Sequence, residues 1–183
     1  LFPEKAFELI TKTDSIVVGE GEVTLLELIN KLYSHSDWFN IKGIAYRNLE
    51  TKKSTMNARR ELIQNLDELP WPERYLAMGD GSSLEVELEG ARGCPFSCVF
   101  CSVQPFYGLS TGEKLRIRSA QSIFDEMVSL KNRFPKLRDF RFADPDFISS
   151  ICADRSESLG HLLIDNELII RMQVDTRAAS VKN

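Results

Sequence analysis

The sequence predicts an α/β protein built in two parts, and three observations carry that reading. From residue 84 onward, strand-like and helix-like segments alternate, the order that parallel βα units require. Residues 4–33 read as helix, strand, glycine turn and helix, as in a wound α/β layer. Between the parts lies Leu66-Asp67-Glu68-Leu69-Pro70-Trp71-Pro72, whose prolines exclude one regular helix. The expected boundaries are 1–58 for the first part, 59–80 for a crossing linker and 81–183 for the second part.

The elements follow in order. Glu4–Thr11 sets Phe7, Leu9 and Ile10 at helical spacing. Ser15–Val18 is a short β-branched run and reads as a buried strand. Gly19-Glu20-Gly21-Glu22 punctuates it, and Val23–Tyr33 then carries Leu25, Leu26, Leu28, Ile29 and Leu32 at helical spacing. Ile41–Arg47 alternates like a strand, and the polar stretch Asn48–Asn57 reads as a hairpin tip. Leu84–Glu89 alternates strictly and is the first strand of the second part. Gly90–Arg118 is a long loop. Ser119 caps a helix with Ile123, Met127, Val128 and Leu130 on its apolar face, and Pro135 helps to stop it. Leu137–Ala143 is a strand, Asp154–Asp165 a helix with Leu159, Leu162 and Leu163, and Glu167–Val174 a third strand.

Three parallel strands make half a barrel or half an open sheet and leave a bare edge. The chain also opens on Leu1 rather than Met and stops at Asn183 just after a strand-like segment. Together these features predict a piece of a longer protein.

Composition narrows the function classes. The chain has 183 residues, 43% hydrophobic and 27% charged, which is ordinary for a globular protein. A net charge of -4 argues against the basic face of a nucleic-acid binder. No apolar run approaches the roughly 20 residues of a membrane span, and no signal peptide is visible. The expectation is a cytoplasmic protein. No Ser/His/Asp or paired-carboxylate arrangement stands out, so no catalytic residue is assigned.

The cysteines are the informative feature. Cys94, Cys98 and Cys101 form C-x3-C-x2-C directly after the first strand of the second part. Thiolates this close in a chain of cytoplasmic character are metal ligands more often than disulfide partners. Soft thiolates select zinc or iron–sulfur. A structural zinc site wants four closed ligands, usually in two pairs. Here no fourth Cys or His lies nearby: His35 is in the first part, His161 is on a helix, and Cys152 reads as a small buried apolar residue. Three thiolates on a cubane cluster would leave one iron open to an amine and a carboxylate.

That spacing resembles the signature of the radical S-adenosylmethionine (SAM) superfamily. The flanks extend the likeness. Ala91-Arg92-Gly93-Cys94-Pro95, Cys101-Ser102-Val103 and Arg116-Ile117-Arg118-Ser119 resemble the radical SAM proteins that carry a cobalamin (B12)-binding domain. The linker Asn65–Pro72 is similar to their interdomain linker, and the segment Val17–Leu26 to the closing strand, turn and helix of their cobalamin domain. The resemblance implies the end of a Rossmann-like cobalamin-binding domain followed by the first βα units of a radical SAM partial (β/α) barrel. One departure stands out: the D-x-H-x-x-G loop of histidine-on cobalamin domains is absent.

The same resemblance implies site residues. Cys94, Cys98 and Cys101 would hold a 4Fe-4S cluster. Phe100 would lie near the adenine of SAM, with a core aromatic as the competing reading. Asp144 and Asp146 would end a strand on the SAM side, with a turn and helix cap as the alternative. Gln173 and Arg177 would place polar groups near SAM, with a solvated loop as the alternative. Gly19, Glu20, Gly21 and Glu22 would approach cobalamin, although two carboxylates repel a phosphate, and a simple helix-start turn explains them equally well.

The implied activity is reductive cleavage of SAM to a 5′-deoxyadenosyl radical, in a cobalamin-dependent methyltransferase or a cyclase. An electron donor such as flavodoxin or ferredoxin would be the partner, with the substrate unknown. Two alternatives stay open: a radical SAM enzyme without cobalamin, and a non-catalytic iron–sulfur or zinc module.

Overall fold

A helix of alternating apolar contacts and a hairpin with a polar tip must each find a face to bury, and the computed structural model shows two such solutions. It describes residues 3–48, 51, 53–74 and 85–181. Two compact units result: Leu1–Ile63 with Ser97–Lys114, and Gln64–Phe96 with Leu115–Asn183.

The first unit holds α1 (Pro3–Leu9), β1 (Ser15–Val17), α2 (Glu22–Tyr33), β2 (Ile44–Arg47), β3 (Ser54–Met56) and α3 (Val103–Gly108). The order helix, strand, helix is as expected, but the strands are antiparallel rather than wound in one direction. Ile16 pairs with Ala45 and Ala45 with Met56. β2 and β3 form a hairpin, which is necessarily antiparallel, but β3 lies inside the Asn48–Asn57 stretch expected as its tip; positions 49, 50 and 52 lie outside the described residues. A helix between β1 and β2 is compatible with either direction, so the packing decides. Phe7, Val18 and Ala45 form one small core, and Leu28, Ile41 and Ile44 another. Thr24 of α2 is fully buried; its hydroxyl donates to the Lys42 carbonyl at 3.3 Å and accepts from Arg60 Nε at 2.8 Å. Gly43 lies against that threonine with φ +79°, a conformation that favours glycine.

The second unit holds β4 (Glu85–Leu88), β5 (Ala91–Arg92), β6 (Arg116–Ile117), α4 (Ala120–Arg133), β7 (Asp139–Phe142), α5 (Ala153–Asp165) and β8 (Arg171–Gln173). Its main sheet runs β4-β7-β8 and is parallel throughout, with Val86 opposite Phe140 and Phe140 opposite Met172. This is the βα alternation expected from the sequence. Phe140 and Phe142 of the central strand are buried, and Ile123, Met127 and Leu130 of α4 and Leu159 of α5 pack on the same core. Leu84, expected to open β4, and residues 75–80 of the linker lie outside the described residues.

Two details differ from expectation. The third strand shrinks from Glu167–Val174 to Arg171–Gln173. The residues before it close α5 instead: Glu167 N donates to Ile164 O at 3.0 Å and Leu168 N to Leu163 O at 2.9 Å, a Schellman ending. The loop Gly90–Arg118 is also less plain than expected. It contains α3 and the antiparallel pair β5–β6, in which Ala91 faces Ile117 and Arg92 faces Arg116.

Candidate functional site

The Arg116-Ile117-Arg118-Ser119 segment acquires a mechanical meaning. Ser119 Oγ accepts from Ser122 N at 3.1 Å and caps α4. Ser119 N donates to the Asp67 carboxylate at 3.1 and 3.2 Å, so the linker is tied to the start of α4. Arg118 Nη1 donates to Glu126 at 2.6 Å and to the Glu89 carbonyl at 2.9 Å. Arg74 donates to the other Glu126 oxygen at 2.7 Å and to the Glu87 carbonyl at 3.0 Å. Two guanidiniums thus hold backbone carbonyls at β4 and share a carboxylate that is only 1% exposed. Sequence reasoning missed Glu126. The signal was there, because it falls on the apolar face of α4 between Ile123 and Leu130.

From β5 the chain enters the cysteine loop through Gly93, whose φ of +86° a larger residue adopts only with strain. Cys94 follows and is half-buried, in the second unit. Cys98 is exposed and Cys101 half-buried, and both belong to the first unit. Cys101 N donates to the Cys98 carbonyl at 3.0 Å, which folds that stretch into a turn. Among the described residues, no three His, Cys, Asp or Glu side chains are gathered closely enough to hold a metal ion. None of the four cysteines is in a disulfide, and Cys152 is buried as expected.

Phe100 is 89% exposed, so the core-aromatic reading is overturned. With Val99, which is fully exposed, it forms an apolar tip between the second and third cysteines.

The acidic pair after β7 takes on internal work. Asp144, only 1% exposed, accepts from Gly90 N at 2.6 Å with one oxygen and from Arg155 Nη2 at 3.0 Å with the other. Both oxygens are therefore committed to the protein rather than presented to a ligand. Arg155, on α5, also donates to the Phe147 carbonyl at 3.1 Å and lies 4.1 Å over the Phe147 ring. Arg155 was not read from the sequence as a site residue; a basic residue in the first turn of α5 gave no distinguishing signal. Asp146, 5% exposed, gathers the segment beyond β8. It accepts from Thr176 Oγ1 at 2.6 Å, Arg177 N at 3.3 Å and Ser180 Oγ at 3.1 Å.

Gln173 and Arg177 are exposed at the C-terminal end of β8. The Arg177 guanidinium sits 3.7 Å from the centroid of the Phe96 ring, inside the cysteine loop. Phe96 was not singled out from the sequence. In the first unit, Gly19 has φ +94° and Gly21 is the N-cap of α2. Glu20 accepts from Ile63 N at 2.7 Å, and Glu22 opens α2 in the acid-favouring first turn. Among the described residues, no helix is long and apolar enough to cross a membrane.

No protein-family model matches the sequence. The chain is 33% identical over 152 residues to an uncharacterized methyltransferase of Pyrococcus horikoshii, covering 79% of this chain and 31% of that protein. It is 32% identical over 154 residues to the anaerobic magnesium-protoporphyrin IX monomethyl ester cyclase of Synechocystis sp., covering 79% and 29%. The chain thus spans under a third of the length of these two relatives. Among solved structures, the cobalamin-dependent SAM radical enzyme OxsB with aqua-cobalamin and SAM bound aligns with a TM-score of 0.74 at 25% identity, over 99% of this chain and 25% of that one. The radical SAM methyltransferase TsrM from Kitasatospora setae, with cobalamin and a 4Fe-4S cluster bound, aligns with a TM-score of 0.62 at 18% identity, over 90% and 32%, a likeness of fold. In fold this chain resembles the cobalamin-dependent radical SAM enzymes, and its relatives in sequence include a cobalamin-dependent radical SAM methyltransferase.

Proposed function

We propose that this chain carries the cluster-binding and SAM-binding part of a radical SAM enzyme. The whole protein would use cobalamin as a further cofactor and perform methyl transfer or a cyclase reaction. The observation that supports this reading most directly is the cysteine pattern itself: Cys94, Cys98 and Cys101 follow the first strand of a parallel βα sheet, in a chain related to OxsB.

The donor set suits the cluster. Three cysteines that are exposed or half-buried would supply three iron ligands, while Cys152 is buried. When bound and reduced by its electron donor, the cluster would supply the one electron that cleaves SAM to methionine and a 5′-deoxyadenosyl radical. This chain's residues then bind and orient. Phe100 offers an exposed aromatic face to the adenine. Gln173 and Arg177 offer an amide and a cation to the polar end of SAM from the C-terminal end of β8, where parallel βα folds gather their ligands. Asp144 and Asp146 serve from behind, holding Gly90 and residues 176–180. Gly19 and Gly21 would let the backbone approach cobalamin closely, with Glu20 fixing the turn through Ile63.

The test is anaerobic reconstitution with iron and sulfide, reduction, and electron paramagnetic resonance with and without SAM. A reduced cubane signal that shifts on adding SAM, and that Cys98→Ala abolishes, is the expected result. About one tightly bound zinc per chain and no cluster would overturn the reading.

A further inference from the structure

The Arg177 guanidinium, offered above to the polar end of SAM, also makes a contact within the chain. It lies 3.7 Å from the centroid of Phe96, and Phe96 stands between Cys94 and Cys98 in the sequence. The backbone that presents Arg177 is held from below. Asp146, buried at the end of β7, accepts hydrogen bonds from Thr176, Arg177 and Ser180 on both carboxylate oxygens. Phe147, the next residue, donates its amide to the Asp175 carbonyl at 2.9 Å. A buried strand end therefore fixes the turn, the turn fixes a cation, and the cation packs on an aromatic ring of the ligand loop.

We propose that Arg177 is a positioning residue for the cysteine loop: through Phe96 it orders the stretch between the first two ligands and keeps a fixed positive charge beside it. This rests on the reading of Cys94, Cys98 and Cys101 as cluster ligands. The physical grounds are two. A cation over an aromatic face restrains both partners even at a partly exposed site. A guanidinium stays charged at every accessible pH, so it favours the more negative, reduced state of a neighbouring cluster.

The chain is reconstituted anaerobically as wild type, Arg177→Met, Arg177→Lys and Phe96→Leu. The readouts are the rate at which a chelator strips iron and the reduction midpoint from a titration followed by electron paramagnetic resonance. Arg177→Met and Phe96→Leu should lose iron about two- to fivefold faster, the worth of one exposed cation–π contact. Arg177→Met should also shift the midpoint to more negative potential, and Arg177→Lys should restore it because the charge is kept. A loss of mere bulk would affect Met and Lys alike and leave the midpoint unmoved. A loaded wild type whose Arg177→Met variant matches it in both readouts overturns this inference alone. A wild type that takes up no cluster overturns the ligand reading, and this inference with it.

Discussion

Gly90 shows how one missing side chain can be required by two others. A Cβ placed there would strike Arg155 Nη1 and would come within 2.9 Å of Asp144 Oδ2. The Gly90 amide meanwhile donates to Asp144 Oδ1. The glycine is needed for close approach, since its backbone can then sit against a buried ion pair. Overpacking of this kind costs about 1–3 kcal/mol, so Gly90→Ala should lower the urea midpoint by a corresponding amount without changing the slope. An unchanged midpoint would mean that Arg155 moves aside freely. Asp144→Ala should be worse than Gly90→Ala, because it strands a guanidinium whose side chain is 6% exposed; breaking a buried pair from one side costs about 3–5 kcal/mol.

Helix ends carry the same lesson at the scale of elements. Both α2 and α5 finish in a Schellman motif. His35 N donates to Leu32 O and Ser36 N to Lys31 O, as Glu167 and Leu168 do on α5. In each case the residue past the cap has positive φ, 51° at His35 and 52° at Glu167, where glycine is the usual occupant. Replacing either by Gly relieves left-handed strain but loosens the unfolded chain. The net expected gain is about 0.5–1 kcal/mol for Glu167→Gly, seen as a raised thermal midpoint; a lowered one would show that the Glu167 side chain contributes more than its backbone costs. The start of α4 offers the opposite case. Ser119→Ala removes the cap on Ser122 N and should cost about 0.5–2 kcal/mol, again read from the urea midpoint.

At the scale of the molecule, the cysteines divide by burial. Cys152 is 1% exposed, whereas Cys98 is open to solvent and Cys94 and Cys101 are half-buried. Iodoacetamide should therefore alkylate Cys98 first in the cluster-free protein and reach Cys152 only on unfolding. Cluster loading should protect Cys94, Cys98 and Cys101 together, as read by mass spectrometry. Protection of Cys98 alone would contradict a shared metal site. Val99 and Phe100, both exposed, stand between Cys98 and Cys101 in the sequence.

Periodicity and punctuation are legible in the amino-acid sequence alone. The alternation of β4, the apolar face of α4, the Ser119 cap and the parallel order of the second unit all follow from local pattern, because burial on one face imposes a period that the chain records. The C-x3-C-x2-C spacing is legible too, because it is local in the chain. What local pattern does not encode is partner choice across distance. The antiparallel direction of β1 against β2, the burial of Asp144 against Arg155 and the seat of Arg177 on Phe96 each join residues that are not neighbours in sequence. An aspartate that faces a ligand and one that holds a backbone amide look alike in a row of letters. Only the folded chain, by bringing Gly90, Asp144 and Arg155 to one point, decides between them.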